Sequence, residues 1–310
     1  MHDRLVGIDW GTSNRRAYLV DAGGHCLATH EDDQGMLAAR GRFAESLAGL
    51  LATLHATAGV GPDVPVVMSG MVGSAQGWQE VAYLDLEVPL GDLPRHLARI
   101  EGQDLGRDCF IVPGYCQREG GIDVMRGEET QLLGALALGR RDGWVVLPGT
   151  HSKWVLLKGG AIERIATYMT GELFAALAAH GTLAALMVDD DESAFDAGLA
   201  EARKRAPLTN SLFRVRARVV AGAMPAAQAR GFVSGLLIGT EFVAALDAGT
   251  AGAAGAGATM APTAITLVCS EALRPRYARA AAVFGVDAHH LDPHHAYCAA
   301  LAQFFAGTTA

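Results

Sequence analysis

Asp9 closes a hydrophobic run, Leu5 to Ile8, and is followed by Gly11, Thr12, Ser13 and Asn14 before a second run, Ala17 to Val20. A minimal β-hairpin needs only two turn residues; this one uses Asp9 to Arg16. The added length presents consecutive backbone N–H groups, and such an array makes an anion-binding concavity. A carboxylate at the strand end is suited to a hydrated Mg²⁺ facing the same anion. The same residues also fit a decorated hairpin in which Asp9 caps its own turn. WVVLPGTHSKWVLL, residues 144–157, repeats the theme: hydrophobic strand, small polar turn at Gly149, Thr150 and His151, Lys153, hydrophobic strand. Two such hairpins in one chain suggest duplicated halves facing one anion.

Between them lies VMRGEETQLLGALALG, residues 124–139. Gly127 reads as a helix N-cap, Glu128 and Glu129 fill the first turn, and Gly139 ends the helix. The helix dipole favours ionised carboxylates at that end, although acids in a first turn are also commonplace. Other phosphate loops do not fit, because the chain contains neither G-x-x-x-x-G-K-[ST] nor G-x-G-x-x-G. The G-x-S-x-G elbow of serine hydrolases is missing as well. HHLDPHH, residues 289–295, offers four imidazoles, but Pro293 argues against a helix that would converge them, and the stretch reads as an exposed loop before the last helix.

The elements that must position these residues follow from periodicity. Residues 4–29 read as two or three strands of a meander. Phe43, Leu47, Leu50, Leu51 and Leu54 give one helix face between Arg42 and Ala58. PVVMSGMVGS (65–74) and CFIVPG (109–114) read as buried strands, and residues 84–100 mix short strands with a short helix. Residues 164–170 form a further strand, 169–187, 195–205 and 226–246 read as helices, and Gly235 and Gly239 either permit close helix–strand approach or weaken the last of these. Residues 248–264 read as an Ala/Gly-rich flexible surface loop. ITLVCSEAL (265–273) is a strand then a loop, followed by a helix through Phe284 and a final helix from Ala296 to Phe305. Strand–helix–strand alternation implies an α/β sheet protein.

The 310 residues suggest two domains, and a hydrophobic share of 50% allows a sizeable core. A net charge of −8 without a basic stripe excludes nucleic acid as the expected partner. Cys26, Cys109, Cys116, Cys269 and Cys298 form no C-x-x-C pair, which points to reduced thiols in a cytoplasm. The first strand begins by about residue 5, so no signal peptide is expected. No apolar run reaches the roughly 18 residues of a membrane span, so no membrane is expected as a partner. A homodimer is compatible with the helix faces.

DWGTSNRRAYL, VVMSGMVGS, VMRGEETQLLGAL, PGTHSKWV, MTGEL and SGLLIGTE together resemble the 2-dehydro-3-deoxygalactonokinase family, within the actin–hexokinase–chaperone ATPase superfamily. The resemblance spans residues 9 to 241 and is faint in the Ala/Gly stretch and the histidine-rich tail. It implies an α/β, two-domain actin/hexokinase-like (ribonuclease H-like) fold with an ATP cleft between domains. The expected division is residues 1–124 for sugar and the first phosphate hairpin and 125–310 for nucleotide, with the last helix packing back on the first domain. It also implies an activity: ATP-dependent phosphorylation of 2-dehydro-3-deoxy-D-galactonate, a small sugar acid, to its 6-phosphate in galactonate breakdown.

The resemblance further assigns parts. Asp9 with Gly11, Thr12, Ser13 and Asn14 corresponds to the first phosphate motif, and Gly149 to Lys153, including Thr150 and His151, to the second. Val268 to Leu273, with Ser270, would form the adenosine pocket. Asp9 would hold Mg²⁺, and Lys153 would meet γ-phosphate charge, or else lie solvated beside Trp154. Superfamily kinases keep the catalytic acid at the helix start, so Glu128 or Glu129 would be the base, with Glu128 preferred. Arg16 and Arg126 are cations for the sugar carboxylate, since arginine binds carboxylate bidentately; each also fits an ordinary ion pair. The Gly-rich loops Ser69, Gly70, Met71 through Ser74, and Thr170, Gly171, Glu172, would surround the sugar. Two alternatives are an exopolyphosphatase-like phosphohydrolase, which the sugar-type loops oppose, and a non-catalytic sugar-acid sensor, which would need an added helix-turn-helix.

Overall fold

The computed structural model describes residues 3–102, 105–189, 191–251, 262–305 and 307–308. The chain opens with the expected meander, β1 (Arg4–Trp10), β2 (Arg15–Asp21) and β3 (Cys26–Asp32), followed by α1 (Met36–Ala39) and α2 (Phe43–Ala58). Phe43, Leu47, Leu50 and Leu54 are the buried positions of α2, the stripe that helical spacing requires, and Gly59 ends it in the left-handed region at φ 65°. Strand β4 (Val66–Gly70) runs into a 3₁₀ turn at Met71–Gly73. Then come β5 (Leu84–Asp85), a 3₁₀ segment at Leu90–His96, β6 (Ala98–Arg99), β7 (Cys109–Ile111), β8 (Tyr115–Gln117), β9 (Asp123–Met125) and α3 (Glu128–Ala137). The second hairpin is β10 (Gly143–Leu147) and β11 (Ser152–Lys158), followed by β12 (Ala161–Tyr168) and α4 (Thr170–Ala179). Helices α5 (Phe195–Arg203), α6 (Leu208–Val220) and α7 (Ala229–Ala251) precede β13 (Ala264–Val268), α8 (Arg274–Phe284), β14 (Asp287–Leu291) and α9 (Pro293–Phe304).

The chain divides into two compact units. The first comprises residues 1–142, 155–165 and 291–310, and the second residues 143–154 and 166–290. Helix α9 belongs to the first. A six-stranded sheet has the order β3-β2-β1-β4-β7-β6, and a five-stranded sheet the order β12-β11-β10-β13-β14. The two orders share a pattern: a three-strand meander, then a strand parallel to the first of them. β4 runs parallel to β1, and β13 parallel to β10. Strands β5, β8 and β9 form a separate small sheet.

In the first unit, Val6, Ile8 and Trp10 of β1 pack with Val66 and Met68 of β4, Ile111 of β7 and the buried stripe of α2. Burying each such side chain contributes about 1.5–3 kcal/mol. In the second unit, Phe232, Val233, Leu236 and Leu237 of α7 pack with Ala202, Val215 and Leu183. Gly235 settles the alternative left open by the sequence. A Cβ there would lie 2.0 Å from the Phe195 carbonyl, so the glycine serves close approach, of α7 on helix α5 and not on a strand as expected.

Several expectations are corrected. A helix window at Ala226–Asp247 is long and apolar enough to cross a membrane, contrary to the sequence reading, although it is mostly buried as a core helix of the second unit. Pro293 starts a helix instead of breaking one. It takes the first turn of α9, where its missing N–H is harmless, and Asp292 caps that turn by accepting from His295 N–H. The four histidines therefore lie on β14 and in the first turn of α9, not in a loop. The helix expected over 169–187 stops at Ala179, and Ala184–Leu186 is a separate 3₁₀ turn. Helix α6 and strands β8 and β9 were not anticipated. Most of the Ala/Gly stretch lies outside the described residues; its start, through Ala251, continues α7.

Candidate active site

Asp9 sits at the end of β1, opposite Arg16 in the antiparallel ladder and opposite Ser69 in the parallel one. Beyond it, the turn is stitched by backbone. Gly11 N–H donates to the Asn14 carbonyl, while the carbonyls of Gly11, Thr12 and Ser13 accept from the N–H groups of Met36, Leu37 and Gly35. The carbonyl edge of the turn is thus committed to the start of α1, and Gly11 N–H to the turn itself. Thr12, Ser13 and Asn14 are exposed.

Two glycines bring the helix of paired acids to this strand end. Gly70 has φ 89° and Gly127 φ 114°, both left-handed values that L side chains resist. A Cβ on Gly127 would stand 3.2 Å from the Gly70 Cα, and one on Gly70 would stand 2.8 Å from the Trp10 carbonyl oxygen and 3.5 Å from Asp9 Oδ1. Asp9, Gly70 and the N-terminus of α3 are therefore one cluster within the first unit. Burial pushes the Asp9 carboxyl up to about 6, opposed by Arg16 and assisted by the nearby Glu128 charge. Among the described residues, no hydrogen bond to the Asp9 carboxylate is formed.

The adjacent glutamates occupy different environments. Glu129 is 0% exposed, and both its oxygens accept from Gly127 N–H, at 2.9 and 2.7 Å. Burial first, and the Glu128 charge second, push its carboxyl up to about 8. Glu128 is half-buried, and its Oε2 accepts from Arg126 N–H at 3.2 Å. Arg126 lies with its guanidinium 4.2 Å from the Tyr83 ring centroid and donates through Nη2 to the Val81 carbonyl at 2.7 Å. Its Nε and Nη1 are buried and have no hydrogen-bond partner among the described residues. Nη1 stands 2.9 Å from where a Cβ on Gly73 would be, so the glycine loop leaves room for it.

Other expected substrate residues are already engaged. Arg16 is bound bidentately by Glu31, with Nη2 to Oε1 at 2.8 Å. Ser69 is 0% exposed, and its hydroxyl is hydrogen-bonded to Tyr297 Oη at 2.8 Å. It faces α9. Met71 follows Gly70 in the 3₁₀ turn and is half-buried.

In the second unit the turn at Gly149, Thr150 and His151 is exposed, and Lys153 is 5% exposed, which removes the solvated reading of this lysine. Thr170, Gly171 and Glu172 pack against this turn. A Cβ on Gly171 would stand 2.4 Å from the Gly149 carbonyl oxygen, Glu172 N–H donates to the Thr150 carbonyl at 2.9 Å, and the His151 ring pairs with the Glu172 carboxylate. These three residues thus support the second hairpin. Ser270 is exposed after β13, and its carbonyl accepts from the N–H groups of Leu273 and Arg274 at the start of α8. A cavity of about 70 Å³ adjoins the turn, lined by Gly149, Thr170, Phe174, Leu237, Leu273 and Tyr277 among others.

The model of the 2-keto-3-deoxy-galactonokinase family matches residues 9–304. The chain belongs to this family. A 2-dehydro-3-deoxygalactonokinase of Escherichia coli (strain K12) is 37% identical over 290 residues, covering 93% of this chain and 92% of its own. A crystal structure of a Sinorhizobium meliloti protein, provisionally assigned as a 2-dehydro-3-deoxygalactonokinase, superposes with TM-score 0.83 at 35% identity, over 98% of this chain and 95% of its own. A ligand-bound xylulose kinase from Lactobacillus acidophilus, at TM-score 0.51 and 10% identity, covers 98% of this chain and 89% of its own and shares the fold alone. Galactonokinase family membership and these neighbours establish the actin/hexokinase-like kinase fold expected from the sequence.

Within this galactonokinase scaffold, two residues escaped sequence reasoning. Tyr297 of α9 holds Ser69, and Glu241 of α7 is buried beneath the second hairpin with Ser152, Trp154 and Tyr277 bound to it. A glutamate in the apolar run SGLLIGTEFVAAL was the available signal for Glu241; its partners are too distant in sequence to be read.

Proposed function

We propose that this chain transfers the γ-phosphoryl group of ATP to the 6-hydroxyl of 2-dehydro-3-deoxy-D-galactonate, releasing ADP, in the cytoplasmic breakdown of galactonate. Family membership supports the reaction. The observation that carries the substrate class is Arg126. Two buried, unpartnered guanidinium N–H donors, Nε and Nη1, are costly unless a ligand completes them, and a carboxylate supplies acceptors for charge-assisted hydrogen bonds.

Phosphoryl transfer asks mainly for positioning and charge stabilisation. Glu128 is the proposed base. It is half-buried and sits beside Asp9 at the helix N-terminus, so it can reach a ligand. It accepts the hydroxyl proton as the sugar oxygen bonds to phosphorus and the bond to ADP breaks. Glu129, wholly buried and pinned to Gly127, holds the glycine turn that aims Glu128. Asp9 fits the magnesium side of the reaction, as a carboxylate held at a strand end without a hydrogen-bonded partner among the described residues. Bound Mg²⁺ supplies neutralisation of phosphate charge there. The exposed turns at Thr12 to Asn14 and at Gly149 to His151 offer hydrogen-bond donors to phosphate oxygens. Lys153 adds charge, and the small cavity beside Leu273 and Tyr277 marks the wall against which the adenosine lies.

The test is phosphorus NMR and mass analysis of the product made from MgATP and the galacto acid. A phosphomonoester on C6 is expected; inorganic phosphate alone would overturn the proposal.

A further inference from the structure

Glu241 lies at the middle of the apolar helix α7, 1% exposed, where an uncompensated carboxyl would be strongly disfavoured. It is compensated by donors from three separate elements of the second unit. Its Oε2 accepts from Ser152 Oγ at 2.8 Å and from Trp154 Nε1 at 2.9 Å, both on β11. Its Oε1 accepts from Tyr277 Oη on α8 at 2.8 Å, and the Thr170 hydroxyl of α4 joins them. Burial raises its carboxyl above the ordinary range against these four hydrogen bonds.

The donors coincide with the walls of the nucleotide region. Ser152 is two residues past Thr150 of the exposed turn. Thr170 precedes the glycine on which the Gly149 carbonyl rests, and Thr170 and Tyr277 line the cavity. Glu241 itself lines neither turn nor cavity. A single buried acceptor thus sets the spacing between the phosphate turn, the start of α4 and the α8 wall.

We propose that Glu241 is a positioning residue for the nucleotide, acting through Ser152, Thr170 and Tyr277 to hold the phosphate turn and the purine wall in register. This rests on the reading of the second unit as the nucleotide half. Removing the acceptor frees the turn relative to the wall and weakens nucleotide binding, while the sugar-acid residues of the first unit are untouched. Glutamine can replace glutamate in this role, because its oxygen can serve Ser152 and Trp154 while its amide donates to the Tyr277 oxygen.

The experiment is calorimetric titration of MgADP, with no sugar acid present, into Glu241→Ala, Glu241→Gln and Ser152→Ala, each first shown to be folded by circular dichroism. Alanine at 241 is expected to weaken MgADP by about tenfold or more, Ser152→Ala by about two- to fivefold, and glutamine by less than about threefold. In steady state, KM for MgATP should rise with the loss in affinity, while KM for the sugar acid stays within about twofold. MgADP affinity unchanged in folded Glu241→Ala would overturn the inference, as would an equal rise in both KM values, which a general loosening of the fold produces. Should Glu241→Ala fail to fold, Ser152→Ala decides, and unchanged affinity there overturns it. Nucleotide binding without sugar-acid turnover in the wild type would sink the kinase reading and leave the calorimetric result intact.

Discussion

The two hairpins solve the same problem with different materials. In the first, backbone holds the turn: three carbonyls accept from the start of α1, and Gly11 N–H closes on Asn14. The Asp9 carboxylate takes no part in that stitching. In the second, side chains hold the strand that leaves the turn, through Ser152, Trp154 and Tyr277 bound to a buried carboxylate. Where backbone secures a turn, an acid remains available for ligand chemistry; where an acid secures it, that acid is consumed by structure. The first unit repeats the contrast within two residues, Glu128 reachable and Glu129 sealed.

The sharpest way to break this comparison is at those two glutamates. Glu128→Gln should lower turnover by about 10²–10⁴-fold with nucleotide binding nearly intact, measured as kcat alongside MgADP affinity. A comparable loss in Glu129→Gln with Glu128→Gln active would exchange their roles.

Next in size is Arg126. Arg126→Ala should raise KM for the sugar acid by roughly tenfold to a hundredfold, the cost of a charge-assisted hydrogen bond, while KM for MgATP is unchanged. An unchanged sugar-acid KM would remove Arg126 from carboxylate recognition.

Asp9 should produce a pH effect. Its carboxyl lies at about 6, so kcat/KM should rise with pH through that region as the ionised form accumulates. Higher Mg²⁺ should move this limb to lower pH, because metal and proton compete for one carboxylate. Asp9→Asn should abolish the limb. A limb insensitive to Mg²⁺ would place Asp9 outside the metal site.

The smallest effect is on stability. Glu129 titrates at about 8 in the folded chain against an ordinary 4.5. Between these values the folded state holds the proton and the unfolded state does not, so this group makes stability fall as pH rises from 4.5 to 8. Denaturant unfolding at several pH values should show Glu129→Gln losing that slope; a slope equal to wild type would contradict the sealed environment.

Much of this was legible in the sequence because it is local. The stripe Phe43, Leu47, Leu50, Leu54 announces α2, and both hairpins and the Gly127 helix start appear where their turn residues place them. What was not legible is long-range or depends on context. Nothing in the sequence around Ser69 tells that Tyr297, 228 residues away, bonds its hydroxyl. The packing of Gly171 on the Gly149 carbonyl, which ties Thr170 to Glu172 to the second hairpin, is likewise invisible in the sequence. Helix α6, LTNSLFRVRARVV, buries only Ser211 and Val215, too narrow a stripe for periodicity to reveal. Pro293 carries opposite meanings inside a helix and at its first turn, and only Asp292 as the cap separates them.

The central claim is that this chain phosphorylates a sugar acid, and the most direct measurement is coupled ADP release with MgATP. The acceptors are 2-dehydro-3-deoxy-D-galactonate and its gluco epimer, with a control lacking sugar. The account predicts strong turnover with the galacto acid and little ATP consumption without an acceptor. Phosphate release from ATP or polyphosphate with neither acid turned over would contradict it in favour of a phosphohydrolase, and binding without turnover in favour of a sensor.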